Sequence, residues 1–255
     1  MRRIFKFFNW KVRTLLLVVL VTGLIGFTEV SQSGIICKSI KVDIQNDIDN
    51  HFLGIDDVTN IILAQGERNV LGQSLDNLDL KSLETELEEN PYIETGEIFK
   101  DLEGNLLVTV ELRRPIARIL RTSGPDAYIT AKGEIMPVSE KFVSRVMLIY
   151  GSMSNQMVKP EFFIEEYGAD LLEMINFIDK NEFWRAQVAD LNILRNGKIE
   201  ILPQVTKQKI EFGLPENVQD KFKKLKIFYN TVLPTKGWNT YERVNLEFKD
   251  QIIAE

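Results

Sequence analysis

Asn90 to Ala117, NPYIETGEIFKDLEGNLLVTVELRRPIA, is the stretch whose reading decides the fold. Asn90-Pro91 stops the helix that precedes it, because the residue before a proline is pushed out of the helical region. Tyr92 to Phe99 is rich in aromatic and β-branched residues, and Asp101 to Asn105 supplies turn formers around Gly104. Leu106, Val108, Val110 and Leu112 then alternate with Leu107, Thr109 and Glu111, the period of a strand with one buried face. The stretch predicts an antiparallel hairpin. Pro115 has no N–H to give to a ladder, so it is read as closing the second strand and marking a domain boundary.

Working outward toward the amino terminus, Ile36, Ile40, Val42 and Ile44 fall on one face of a first strand, with Cys37, Ser39, Lys41 and Asp43 on the other. Ile55, Val58, Ile61 and Ile62 recur at helical spacing behind Asp56 and Asp57, whose carboxylates suit the positive end of a helix. A second helix begins near Asp79 and buries Leu80, Leu83 and Leu87. Glu84, Glu86, Glu88 and Glu89 are read as its solvated face rather than as a carboxylate cluster for acid/base or metal work. From Ile36 to Leu112 the order is strand, helix, helix, strand, strand, an α+β module.

Beyond Pro115 the pattern predicts strands at Ile116 to Arg121 and Ala127 to Thr130, then a helix carrying Leu171, Leu172, Ile175 and Ile178. Asn196-Gly197 between two apolar runs is a strong hairpin signal, and Lys209 to Gly213 adds a strand. Val218, Phe222, Leu225, Tyr229 and Val232 form a helical stripe opposite Lys221, Lys223, Lys224 and Lys226, read as a solvated basic face rather than a membrane-binding one. Arg243 to Ile253 is expected as one last strand.

The 255 residues, 44% hydrophobic and 27% charged, are ordinary for one large or two small globular domains. One cysteine, Cys37, cannot close an intrachain disulfide, and with one histidine, His51, it offers no cluster of metal-ligand spacing. The 31 basic residues include five in the first 13, leaving 26 against 37 acids in the rest, a poor match for nucleic acid phosphates.

Thr14 to Thr28 is uncharged and rich in Leu and Val. At about 1.5 Å per residue it spans roughly 22 Å, short of a hydrocarbon core of about 30 Å. Lys11 and Arg13 are expected to flank the anchor and snorkel to the interface, Phe5, Phe7, Phe8 and Trp10 suit the aromatic belt, and Val30 to Ile36 extends the segment. A single retained span is expected. The competing reading is a cleaved signal peptide, with Arg2-Arg3 as a twin-arginine signal, but no A-x-A site follows. The positive charges before the span place the amino terminus in the cytoplasm and the bulk of the chain outside.

A basic tail, one span, a β-α-α-β-β module and a β-rich domain together resemble the bacterial cell-division family FtsQ/DivIB. Asn90-Pro91-Tyr92-Ile93 is similar to the family's start of the POTRA hairpin, and Val110 to Ala117 to its exit. Tyr128 to Pro137, followed by Val146 to Gly151, resembles the next hairpin and a strand ending in glycine. The resemblance implies a cytoplasmic tail at 1–13, a transmembrane helix at 14–33, a POTRA-like domain at 34–115 and, at 116–255, a mostly antiparallel β-sheet domain with packed helices. It also implies a non-catalytic scaffold in the inner membrane at the division septum, without cofactor, metal or small-molecule substrate. Its expected partners are the FtsB/DivIC-type and FtsL-type coiled-coil proteins.

Val244-Asn245-Leu246-Glu247-Phe248-Lys249 resembles the family's final-strand motif, so a carboxy-terminal edge strand is the expected docking site. Val244, Leu246, Phe248 and Ile252 would be apolar contacts, with Glu247 and Lys249 as charged selectors; the alternative is that Val244, Leu246 and Phe248 face the core. No phosphate-binding glycine loop, G-x-S-x-G elbow or H-E-x-x-H motif appears. The rival functions are a POTRA-bearing protein of outer-membrane biogenesis or secretion, and an extracytoplasmic cell-wall enzyme.

Overall fold

The computed structural model describes residues 14–22, 34–46, 50–66, 68–249 and 251–255. Residues 14–22 are helical, and Leu15, Leu17 and Leu20 are each more than 60% exposed. No helix among the described residues is long and apolar enough to cross a membrane. The rest of the expected span, the tail before it and its flanks Lys11 and Arg13 lie outside the described residues. The chain divides into two compact units, one drawn from residues up to 47 and 53–112, the other from residues 48–52 and 113–255.

The first unit has three strands, β1 (Ser39–Ile44), β2 (Ile93–Lys100) and β3 (Asn105–Leu112), and two helices, α1 (Ile55–Ile62) and α2 (Leu80–Glu88). The sheet order is β1-β3-β2, with β1 parallel to β3 and the β2–β3 hairpin antiparallel. Being central, β3 supplies the inward row read from the sequence: Leu106, Val108, Val110 and Leu112 are all buried against Val58 and Ile62 of α1 and Leu83 and Leu87 of α2. Asp79 accepts the N–H of Ser82 and so caps the first turn of α2. In the β2–β3 turn the Asp101 carboxylate accepts the N–H groups of Glu103 and Asn105.

Two expectations in this unit are corrected. Residues 35–37 precede β1 and pair with the 72–75 loop rather than continuing the strand, so the alternation slips there. Cys37 is consequently buried, with burial pushing its thiol pKa up, while Ile36 is half-exposed. The acidic face of α2 is also not simply solvated. Glu84 Oε1 accepts the N–H of Ile98 on edge strand β2, at 2.9 Å, and Glu86 pairs with Arg68 at 2.8 Å.

The second unit carries a nine-stranded sheet. Its strands are β4 (Pro115–Ile119), β5 (Ala127–Thr130), β6 (Ile135–Pro137), β7 (Met147–Gly151), β8 (Val188–Ile193), β9 (Ile199–Pro203), β10 (Lys209–Gly213), β11 (Arg243–Asn245) and β12 (Ile253–Ala254). Their spatial order is β12-β11-β10-β9-β8-β7-β4-β5-β6. The sheet is mixed rather than simply antiparallel, because β4, β7 and β8 run parallel side by side, as do β10 and β11. The crossover between β7 and β8 holds α3 (Glu166–Lys180) and α4 (Glu182–Gln187), and that between β10 and β11 holds α5 (Val218–Ile227), a π turn at Phe228–Val232 and α6 (Leu233–Lys236). Pro115 opens β4 and is buried there, so it begins a strand as well as ending the stretch before it.

One face of this sheet packs beneath α3 and α5, where Leu171, Met174, Ile175 and Ile178 meet Ile149, Leu191, Ile193 and Ile201. Phe222 of α5 sits among aromatic rings, stacked on Phe177 at 5.1 Å and close to Trp184 and Phe212. On the other face β8 to β11 carry polar pairs: Asn192 donates to Glu200, and Asn245 to Glu211. Phe52, from the short segment 50–52, lies edge-on to Tyr128 and Phe142 within this unit. Gly151 ends β7 at φ +120°, where an added Cβ would lie 2.1 Å from the Ile193 carbonyl oxygen, so β7 and β8 meet there as only glycine permits.

Candidate interaction surface

The end of the chain folds as two short strands instead of the single strand expected from Arg243 to Ile253. Only Arg243–Asn245 pairs with β10, and the chain then leaves the sheet and returns as β12, antiparallel to β11. The edge of the sheet is therefore β12, which has two residues, with Ile253 37% exposed. The other edge strand is β6.

This geometry divides the residues singled out from the sequence. Val244 and Leu246 are fully buried in the core, so their side chains are not available to a partner. The alternation expected to give one docking face instead points inward, from Val244 in β11 and from Leu246 just after it. Phe248 lies outside the strand and is 46% exposed, next to exposed Lys249. Ile252 is partly buried against the core. Glu247 is already paired, its Oε2 lying 2.6 Å from Lys198 Nζ on the β8–β9 turn.

The segment between β11 and β12 is held by residues that the sequence reading passed over. Lys224 Nζ donates to the carbonyl oxygens of Leu246 and Phe248 at 3.1 and 2.5 Å, anchoring the segment to α5. Lys221 donates to Leu214 O and lies over the Phe212 ring, and Lys226 lies over Phe183. Burial is the chief cause of the lowered Lys221 pKa. Three of the four lysines read as a solvated face are thus committed to local structure, and the only sequence signal for this was their place on one turn-spaced stripe. Arg243 bridges Glu211 and Glu255, and its hydrogen bond to Glu211 leads the causes that raise its pKa. The outermost strands consequently present an ordered, charged rim beside exposed Phe248 and Ile253.

A second feature of the unit is a cleft of about 410 Å³ at the starts of β4, β7 and β8, lined by Arg114, Arg145 and Arg185 over Ile116, Met147 and Val188. It holds two carboxylates, Asp179 and Asp190. Both oxygens of Asp179 are engaged by Arg114, and burial pushes the Asp190 pKa up. Among the described residues there is no group of three side chains able to hold a metal ion.

Comparison with known proteins agrees with this architecture. No curated protein matches the chain. Residues 35–111 match the POTRA-like domain family, and residues 114–255, more than half of the chain, match the family described as FtsQ/DivIB, C-terminal related. The chain belongs to this FtsQ/DivIB-related family, which points to a role in cell division.

Proposed function

We propose that the protein is a non-catalytic scaffold of the division machinery, anchored by one span near residues 14–33 with its amino terminus in the cytoplasm, and that it works outside the membrane by binding. The observation that carries this reading is the short carboxy-terminal edge: β12 closes the large sheet with two residues, one of them the exposed Ile253, and exposed Phe248 lies in the segment that leads to it. An edge strand offers unpaired N–H and C=O groups that an incoming segment satisfies by strand addition, while neighbouring side chains select the partner. The partners proposed are the FtsB/DivIC-type protein and, with it, an FtsL-type protein.

Co-purification from dividing cells tests the docking site. Ending the chain after Asp250 removes β12 but leaves the buried Val244 and Leu246 in place. The expected result is a folded protein that no longer retains the FtsB/DivIC-type partner. Retention at full yield rules out this edge. A fluorescent fusion tests the broader reading: a midcell band supports it, and an even peripheral halo contradicts it.

A further inference from the structure

We propose that the arginine-lined cleft at the starts of β4, β7 and β8 is a recognition site for a carboxylate-bearing peptide segment, separate from the carboxy-terminal edge. Three parallel strands beginning side by side bring together residues far apart in sequence: Arg114 before β4, Arg145 before β7, and Arg185 on the helix that leads into β8. Their guanidinium groups are not equally available. Arg114 is committed to Asp179 through both of its terminal nitrogens. Arg185 gives only Nη1 to the Asp179 carbonyl oxygen, at 3.3 Å, and Arg145 is exposed with no ion-pair or hydrogen-bond partner among the described residues.

Charge and lining together select the ligand class. Three arginines against Asp179 and Asp190 leave the cleft one positive charge in excess. That balance suits a monoanion, whereas a phosphate dianion would meet two carboxylates with too little compensation. A guanidinium presents paired N–H groups in a planar fork that fits a carboxylate, and Arg114 on Asp179 already shows that pairing at the same cleft. The apolar lining from Ile116, Met147 and Val188 accepts the aliphatic part of a neighbouring residue, so a peptide fits better than a bare anion. The carboxylate comes either from an acidic side chain or from a chain terminus.

Methionine-methyl NMR on the full-length chain reads the site directly, because Met147 lines the cleft and is one of six methionines. Its signal is assigned with Met147→Leu. Four probes are compared: acetyl-Leu-Glu-amide, acetyl-Leu-Leu with a free carboxy terminus, acetyl-Leu-Gln-amide and inorganic phosphate. The expected result is a saturable shift of the Met147 methyl with at least one of the carboxylate peptides, the responding arm identifying side chain or terminus. Arg145→Ala, an exposed substitution that leaves the ligand-free spectrum otherwise unchanged, should weaken that binding by tenfold or more. An equal response to the neutral peptide, equal or tighter binding of phosphate, no response to either carboxylate, or undiminished binding by Arg145→Ala each overturns the proposal.

Discussion

Arg114 holds the carboxylate of Asp179 with both terminal nitrogens, Nη1 donating to Oδ1 at 3.1 Å and Nη2 to Oδ2, joining the start of β4 to the end of α3. The pair is asymmetric: the Asp179 side chain is 6% exposed and that of Arg114 is 57% exposed. Removing the arginine leaves a buried carboxylate with its main donor gone, whereas removing the carboxylate returns a cation to water. Arg114→Ala should therefore cost about 1.5–3 kcal/mol in urea unfolding, and Asp179→Leu with Arg114→Met should recover part of that loss. A double variant no more stable than Arg114→Ala would show that the loss does not come from leaving the Asp179 carboxylate unpaired.

The residues after β11 make a sharper contrast. Leu246 is fully buried and Phe248 is 46% exposed, although two positions separate them. Leu246→Ala should destabilise the protein by about 2–5 kcal/mol through lost burial and the cavity left behind. Phe248→Ala should change stability by no more than about 0.5 kcal/mol, and under the proposed docking it should weaken partner retention. Thermal unfolding and co-purification of the two variants separate core from surface. Similar stability losses in both would place Phe248 in the core.

Lys224 reaches from α5 to two carbonyl oxygens of the terminal segment, those of Leu246 and Phe248. Replacing it with methionine keeps the aliphatic stem and removes both hydrogen bonds, at a cost of about 1–2 kcal/mol. The effect should be local. Hydrogen exchange should quicken at residues 246–249 and 251–254 while β8 and β9 stay protected. Unchanged exchange in the terminal segment would mean that β11 alone positions it.

Much of the first unit was legible because β3 obeys one rule along its length, with Leu106, Val108, Val110 and Leu112 pointing inward at every second position. What escaped were breaks in periodicity and choices of partner. Ile36 and Cys37 invert because residues 35–37 pair with the 72–75 loop before the strand begins. The parallel contact of β1 with β3, and the run β4-β7-β8, depend on which strand a crossover returns to, and local patterns do not encode that. At the carboxy terminus Val244 and Leu246 kept the alternation expected of a contact face, but that face points into the core. The arginine cleft left no local signature at all, since Arg114, Arg145 and Arg185 meet only through the order of parallel strands.

Tyr167 gives the fold a response to alkaline pH. Its phenol, near the start of α3, donates to the Gly197 carbonyl oxygen at 2.8 Å, clamping the β8–β9 turn, and burial pushes its pKa up to about 12 from the usual value of 10.0. A phenol with a raised folded-state pKa is stabilising while it keeps its proton. Its contribution is complete below the unfolded value and is lost as pH rises toward 12, because the unfolded chain releases the proton first. Stability should therefore fall between pH 10 and 12, and Tyr167→Phe, which has no proton to lose, should make that fall shallower while lowering stability at neutral pH through the missing hydrogen bond. Tyr150 and Tyr229 also have raised pKa values, with burial the leading cause in each, so part of the slope should survive in the variant. Denaturant midpoints measured at pH 8, 10 and 11.5 for both proteins decide the matter. Parallel curves would mean that the Tyr167 phenol titrates alike in the folded and unfolded chain, and that its contact with Gly197 does not hold the proton.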